Sequence, residues 1–240
     1  MLRKQRASKN FHKHDFIFKY TEKILANRIN EDFHFRKFKN ALIYGQFLAN
    51  LANIENITHT TIGEDAKNPL LYEEELLPKF DKKFDLIISH LNLHSVNDLP
   101  GVLIQYHNIL NQDGIFIATI FGSQTLQELR KALLAADVKL HNSAAARVIP
   151  FIDVKDAARL LSRAGFINPV ADTYNLTIKY SDLKSLLLDI KGLGENNYLL
   201  RRPHHFPGKK FFTQVATEYP IDSANQLRAT VEIITIVGWK

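Results

Sequence analysis

The chain contains no cysteine. That absence excludes disulfides, thiolate nucleophiles, thiolate zinc sites and cysteine-ligated iron–sulfur clusters. Long apolar runs are absent too: charges interrupt every hydrophobic stretch short of the roughly 20 residues that cross a bilayer, so no membrane span is expected. Acidic residues are missing from the first ten positions, where Arg3, Lys4, Arg6 and Lys9 stand without the apolar centre of a secretory signal. A basic, unstructured arm on a cytoplasmic protein is the expectation. Over the whole chain 31 Lys and Arg face 25 Asp and Glu, a net charge of +6. This mild imbalance favours acidic partners without requiring nucleic acid.

What is present is enough for a real core: 240 residues with 45% hydrophobic content suit one α/β domain with an appendage. No repeat or low-complexity linker interrupts it, and the apolar spacing alternates between helical and strand periods, the pattern of βαβ architecture. Phe16, Tyr20, Ile24 and Leu25 predict a first helix ending near Asn30. Ala41 to Tyr44 predicts a short strand stopped by Gly45, with Phe47, Leu48 and Leu51 at helical spacing behind it, the strand–glycine–helix order of phosphate- and cofactor-binding loops. Ile57 to Ile62 predicts a second strand, closed by Gly63-Glu64-Asp65. Leu99, Val102, Leu103, Tyr106, Ile109 and Leu110 share a helix face, Asn111 to Gly114 supplies a turn, and Ile115 to Phe121 reads as a strand covered on both faces. Farther on, Asp153 caps a helix stopped by Gly165, Val170 to Lys179 has strand character, and Ser181 caps a helix that ends before Gly192. Val231 to Trp239, strongly β-branched, predicts a last strand inserted into the sheet.

The most informative stretch runs from Phe84 to Pro100: an apolar strand, a polar loop, then an amphipathic helix. In an open α/β sheet this order puts Ser89 to Leu91 at the carboxyl end of a buried strand, where such folds bind ligands. It closely resembles the fourth-strand motif of class I S-adenosylmethionine (SAM) methyltransferases. With His94, Val96, Asn97, Asp98, Leu99 and Pro100 it resembles one branch, the mitochondrial complex I assembly-factor methyltransferase-like family and its bacterial relatives. Further landmarks of that branch fall in order: Arg3-Lys4-Gln5, Asp113-Gly114, Phe121-Gly122, Glu128-Leu129-Arg130, Arg163 to Phe166, Gly192 to Asn197, and Gly238-Trp239-Lys240. A more distant match, through Lys191 to Gly194, is to the biotin-pathway methyltransferases of malonyl-acyl carrier protein. The resemblance implies a Rossmann-like α/β sheet with an antiparallel last strand and a smaller inserted cap. Residues 1–121 with 221–240 would form the core and 122–220 the cap. It also implies a respiratory-chain protein as substrate or partner, and the assembly-factor branch is associated with arginine hydroxylation of a complex I subunit.

The same resemblance places SAM against Tyr44, Gly45, Glu64, Glu73, Ser89, His90 and Leu91. The first loop departs from the family. Where an acid and three glycines are wanted at alternate positions, this chain has Ile43, Gly45, Phe47 and Ala49. A side chain there intrudes on a cofactor that needs bare backbone. The ribose-binding acid aligns with Thr61, with Glu64 three residues on, while Glu73 aligns with the adenine-side acid. Two readings therefore stand: a SAM site that still binds through Gly45, Glu64, Glu73 and the Ser89–Leu91 backbone, or a lost cofactor site on a catalytically inactive binding or assembly module. A methyltransferase acting on a small carboxylate or acyl-carrier-protein substrate is the rival enzyme reading.

No residue declares itself catalytic. His94 matches a family position and can act as acid or base. With His90 it lies four residues apart across a strand end, not on a helix, so no metal pair is expected. His12 with His14 and His204 with His205 lack carboxylate companions in a ligand-like pattern and read as surface residues. In His34 to Lys39 aromatics alternate with cations, as in single-strand nucleic-acid binders. The preferred reading packs Phe35 and Phe38 under the sheet and leaves the cations in water. Arg201 and Arg202 follow the Gly192 to Asn197 motif; with Glu195 and Asn196 they are expected near any partner site.

Overall fold

The computed structural model describes residues 10–47, 49–60, 75–199, 202 and 207–240. Six strands form one sheet in the order β2-β1-β3-β4-β6-β5. β1 (Phe38–Tyr44), β2 (Ile54–Thr60), β3 (Phe84–His90) and β4 (Leu110–Phe121) are parallel. β6 (Leu227–Trp239) runs antiparallel between β4 and β5 (Ile167–Tyr180), so the last strand is the inserted one. The central strands are apolar over residues 41–44, 86–88 and 115–118, where both faces are covered. Leu42, Tyr44, Ile87 and Phe116 pack with Tyr106 of α2 (Leu99–Ile109) and Leu161 of α4 (Val154–Arg163). The alternate residues Ala41, Ile43, Leu86 and Ile88 meet Leu25 and Ile29 of α1 (Phe16–Asp32) on the other face.

β5 and β6 continue past the end of β4: beyond the Phe121–Ile233 pair, residues 227–232 of β6 pair only with β5. On this two-stranded extension rest α3 (Gln127–His141), α5 (Leu183–Gly192) and α6 (Gly208–Glu218), packed around Leu129, Leu133, Leu186, Phe211 and Val215. The span 122–220 thus contributes α4 and β5 to the sheet layers, and α3, α5 and α6 to a cover over one end. Among the described residues no helix is long and apolar enough to cross a membrane. Lys240 draws the chain end against the sheet by donating to the carbonyls of His107, Asn108 and Leu110 at the end of α2. A cation there complements the helix dipole.

Several local expectations give way to packing. α1 is present, but Phe16 and Tyr20 are exposed and the buried stripe is Ile17, Phe18, Thr21, Leu25 and Ile29. Asn111 to Gly114 keeps its turn chemistry, with Asp113 at φ +60°, as an irregularity inside the start of β4. Asp182, not Ser181, caps α5 by accepting from the Ser185 N–H at 2.8 Å. Phe38 is buried as expected, whereas Phe35 is 76% exposed. The helix expected behind Gly45 does not form among the described residues. β1 and β2 are parallel neighbours joined only by residues 45–53, fewer than the roughly 10–12 that a helical crossover takes. Phe47 and Leu51 are buried all the same, among Leu25, Ile29, Ile43 and Ile88.

The Phe47 ring therefore points into the core. Replacing Phe47 with Ala should cost about 3–5 kcal/mol, the usual loss for a buried aromatic. Urea unfolding measures it, and a loss below about 1 kcal/mol would place the ring outside the core.

Candidate functional site

The strand order reverses at β1: β2 lies on one side, β3 on the other. The loops leaving the carboxyl ends of β1 and β3 diverge there and open a crevice, the ligand position of open α/β sheets. Gly45 leaves β1 at φ +91°, and a Cβ at that position would sit 2.4 Å from the His90 carbonyl oxygen. Only glycine fits so close an approach. On the opposite lip Leu91 adopts φ +44°, a strained setting for a γ-branched residue of the kind that collects at functional sites. Its N–H donates to the Thr119 carbonyl at 3.0 Å.

His90 fills the space between these lips. Its imidazole is buried, with Nδ1 against the Gln46 carbonyl and Nε2 2.7 Å from the Thr21 hydroxyl. A carbonyl can only accept, so Nδ1 carries the proton and Nε2 accepts from Thr21. Burial pushes the imidazole down to about 4, against a smaller opposing pull from the Gln46 carbonyl. Phe18 and Phe47 stand edge-on to the ring, centroids 5.4 and 5.7 Å away, and Phe11 packs on Phe18 at 4.8 Å. The described part of the crevice holds about 40 Å³. Sites for a molecule the size of SAM hold about 300 Å³ or more, and Glu64 and Glu73, two of its expected contacts, lie outside the described residues.

A far larger cavity, about 570 Å³, opens beside it under the cover. Leu129, Leu133, Leu186, Ile190, Phe211 and Val231 give it apolar walls, and Tyr180, Asp189, Glu195 and Arg202 add polar groups. Leu193 and Glu195 line both spaces and form the partition between them. Glu195 is fixed by His94, whose Nε2 lies 2.9 Å from its carboxylate; both side chains are buried. His94 is walled by Phe121, with ring centroids 4.6 Å apart, and its Nδ1 has no hydrogen-bond partner among the described residues. Asp189 is engaged from outside the cover by His14, at 2.6 Å. Burial and the Asp189 carboxylate together push the Tyr180 phenol up.

The structure brings Gly45, His90 and Leu91 together at the crevice. Tyr44 turns into the core, 5.1 Å from Tyr106, and Ser89 is buried within the sheet, so neither side chain reaches the crevice. Glu64, Glu73 and Thr61 lie outside the described residues, as does Arg201. Arg202 lines the large cavity with Glu195, Asn196 and Asn197. His14 is not the free surface residue its local sequence implies: its carboxylate partner comes from 175 positions away. It lies across Gly192, where a Cβ would fall 2.0 Å from the imidazole. Phe11 and Phe18 escaped sequence reading because the apolar spacing favoured Phe16 and Tyr20 instead.

The parallel strands, the inserted antiparallel β6 and the crevice at the switch point define a Rossmann-like methyltransferase fold. The chain is a SAM-methyltransferase-like protein, related in sequence to NDUFAF5 and to malonyl-acyl carrier protein methyltransferases. It is 37% identical to human mitochondrial arginine-hydroxylase NDUFAF5 over 173 residues, covering 71% of this chain and 50% of that protein. It is 30% identical over 173 residues to the malonyl-[acyl-carrier protein] O-methyltransferase of Gallionella capsiferriformans, covering 72% and 58%. The chain thus spans about half the length of the curated relatives it matches. Among solved structures it resembles the plantazolicin methyltransferase BpumL in complex with S-adenosylhomocysteine (SAH). The TM-score is 0.51 and the identity 11%, with 98% of this chain and 89% of that one covered. No protein-family profile matches the chain.

His90 makes stability fall on mild acidification. Above pH 6.5 the imidazole is neutral folded and unfolded. Below it the unfolded chain takes up the proton first, and stability drops until the folded group titrates at about 4. The loss attributable to His90 is about 3 kcal/mol, read as the difference between the pH profiles of the native chain and His90→Gln. Parallel profiles would show that His90 is not a buried neutral imidazole.

Proposed function

We propose that this chain is a methyltransferase-fold protein that works by holding a protein partner in the cavity under its cover, not by transferring methyl groups from SAM. The observation that carries this reading is the contrast in volume. The crevice at the cofactor position keeps about 40 Å³ on its described side, while the neighbouring cavity offers about 570 Å³. Phe18 and His90 narrow this crevice beside Gly45 and Leu91, which supports the reading. The apolar cavity walls suit an aliphatic side chain of a partner. The likeness to NDUFAF5 supports a respiratory-chain protein as the partner and assembly as the setting.

A second reading has one observation in its favour. Because Leu193 and Glu195 wall both spaces, a donor in an opened crevice would face an acceptor in the large cavity. That arrangement suits methyl transfer to a small carboxylate or a group borne on an acyl-carrier protein, as the likeness to the malonyl-carrier methyltransferase supports.

Isothermal titration separates the two. The expected result is no measurable heat with SAM or SAH at concentrations up to about 1 mM. In parallel, anilinonaphthalene sulfonate should bind one-to-one in the large cavity, and Leu187→Trp, which fills it, should abolish that binding with the melting temperature retained. Micromolar SAM affinity would contradict the proposal and favour methyl transfer.

A further inference from the structure

The 142–150 loop closes one side of the large cavity, and its outer face forms part of a second groove of about 360 Å³. Leu133, Arg147 and Val148 line both, so the loop is a thin wall between them. Two arginines converge on the outer groove, Arg130 from α3 and Arg147 from the loop.

Their charges are balanced differently. Asp137, buried on α3, takes Nε and Nη2 of Arg147 in a fork at 2.7 Å each. Burial works against the Asp137 charge, but the hydrogen bonds from Arg147 and His141 prevail and hold its carboxyl below the usual range. The same guanidinium lies 4.2 Å above the Phe211 ring centroid, which fixes its plane. Nη1 is left over. Arg130, by contrast, has no carboxylate partner among the described residues. Its terminal nitrogens reach only the backbone carbonyls of Ser123 and Thr125, at 3.2–3.4 Å, and its buried Nε has no partner. A guanidinium held only by carbonyl dipoles keeps its full charge and attracts an anion.

The rest of the groove is apolar: Leu134, Val148, Pro150 and Leu199 line it. Along α3 from it, Leu134 and Val138 are large apolar side chains, 45% and 53% exposed, one turn apart on the same helix face. A bare phosphate or acetate would leave this surface in water. An unmatched cation beside an exposed apolar stripe complements an acidic side chain followed by apolar ones.

We propose that the groove between Arg130 and Arg147 is a docking site for a partner-protein segment in which a Glu or Asp is followed by aliphatic residues. The carboxylate is held between the Arg130 guanidinium and Nη1 of Arg147, and the aliphatic residues cover Leu134 and Val138. The inference rests on the reading that this chain holds a protein partner, and it adds a second point of grip across the wall from the first.

The test is an NMR titration of the ¹⁵N-labelled full chain with acetyl-Glu-Leu-Leu-amide, acetyl-Gln-Leu-Leu-amide and sodium acetate. The glutamate peptide is expected to shift the amides of residues 133–134 and 145–148 and to bind at least about fivefold more tightly than the glutamine peptide. Acetate should bind more weakly still. Leu134→Asp, an exposed substitution, should weaken the glutamate peptide at least about fivefold by like-charge repulsion without changing the melting temperature. Arg130→Gln should do the same, and Leu134→Asp decides the matter if that variant does not fold. Equal affinity for the two peptides, acetate matching the glutamate peptide, shifts confined to another surface, or undiminished binding by Leu134→Asp would overturn the proposal. Dye binding in the large cavity does not involve Arg130 or Leu134, so it reports on the first reading alone.

Discussion

One buried imidazole joins three parts of the chain at the ligand-binding end of the sheet. His90 ends β3, donates to the loop that leaves β1, and accepts from Thr21 in the middle of α1. The Gln46 carbonyl and the imidazole would otherwise have to be solvated inside a dry crevice, whereas the Thr21 hydroxyl also lies 3.0 Å from the Ile17 and Phe18 carbonyls of its own helix. Once the hydrogen bonds form, opening the crevice means exposing a carbonyl, a hydroxyl and an imidazole at once. Phe11 and Phe18 follow from the same contact, because a helix fixed at Thr21 carries Phe18 onto the His90 ring. The small volume on the described side of the crevice is thus a consequence of how α1 is attached.

The Gly192 to Asn197 segment serves as the matching joint on the cover side. Gly192 admits His14 from the beginning of the described chain, Glu195 meets His94 from the loop after β3, and Asn197 donates to the Ala146 carbonyl on the cavity wall at 2.7 Å. Six residues therefore tie the N-terminal segment, the sheet end and the cavity wall into one unit. The His94–Glu195 pair is buried, so losing either partner would strand a charge or an acceptor in the partition. This explains why the segment reads as a motif without requiring that any of its side chains touch a reacting atom.

Much of the framework was legible in sequence because it depends on local chemistry. Continuous apolar runs marked the central strands, Asp153 and Gly165 marked the ends of α4, and the β-branched run before Trp239 marked the inserted strand. The errors arose where distant contacts decide. Helical spacing could not tell Phe16 from Phe18, since Thr21, a polar residue, fixes the buried face of α1 through His90. Phe47 looked like an obstruction in a glycine loop, but the short connection between β1 and β2 turns its ring into the core. His14 has Asp15 beside it along the chain, yet its carboxylate partner is Asp189, which only the fold brings to it. Of the expected cofactor contacts, Gly45, His90 and Leu91 meet at the crevice because they end adjacent parallel strands, a relation set by topology and readable from the motif.

The central claim is that α1 is a permanent wall of the crevice and not a lid that a cofactor can displace. Native-state hydrogen exchange of the backbone amides of residues 17–25, with and without 5 mM SAH, tests it most directly. The account predicts protection close to that of β3 and β4, unchanged by SAH. Fast exchange in α1 that slows when SAH is added would contradict it and return the crevice to the role of a cofactor site.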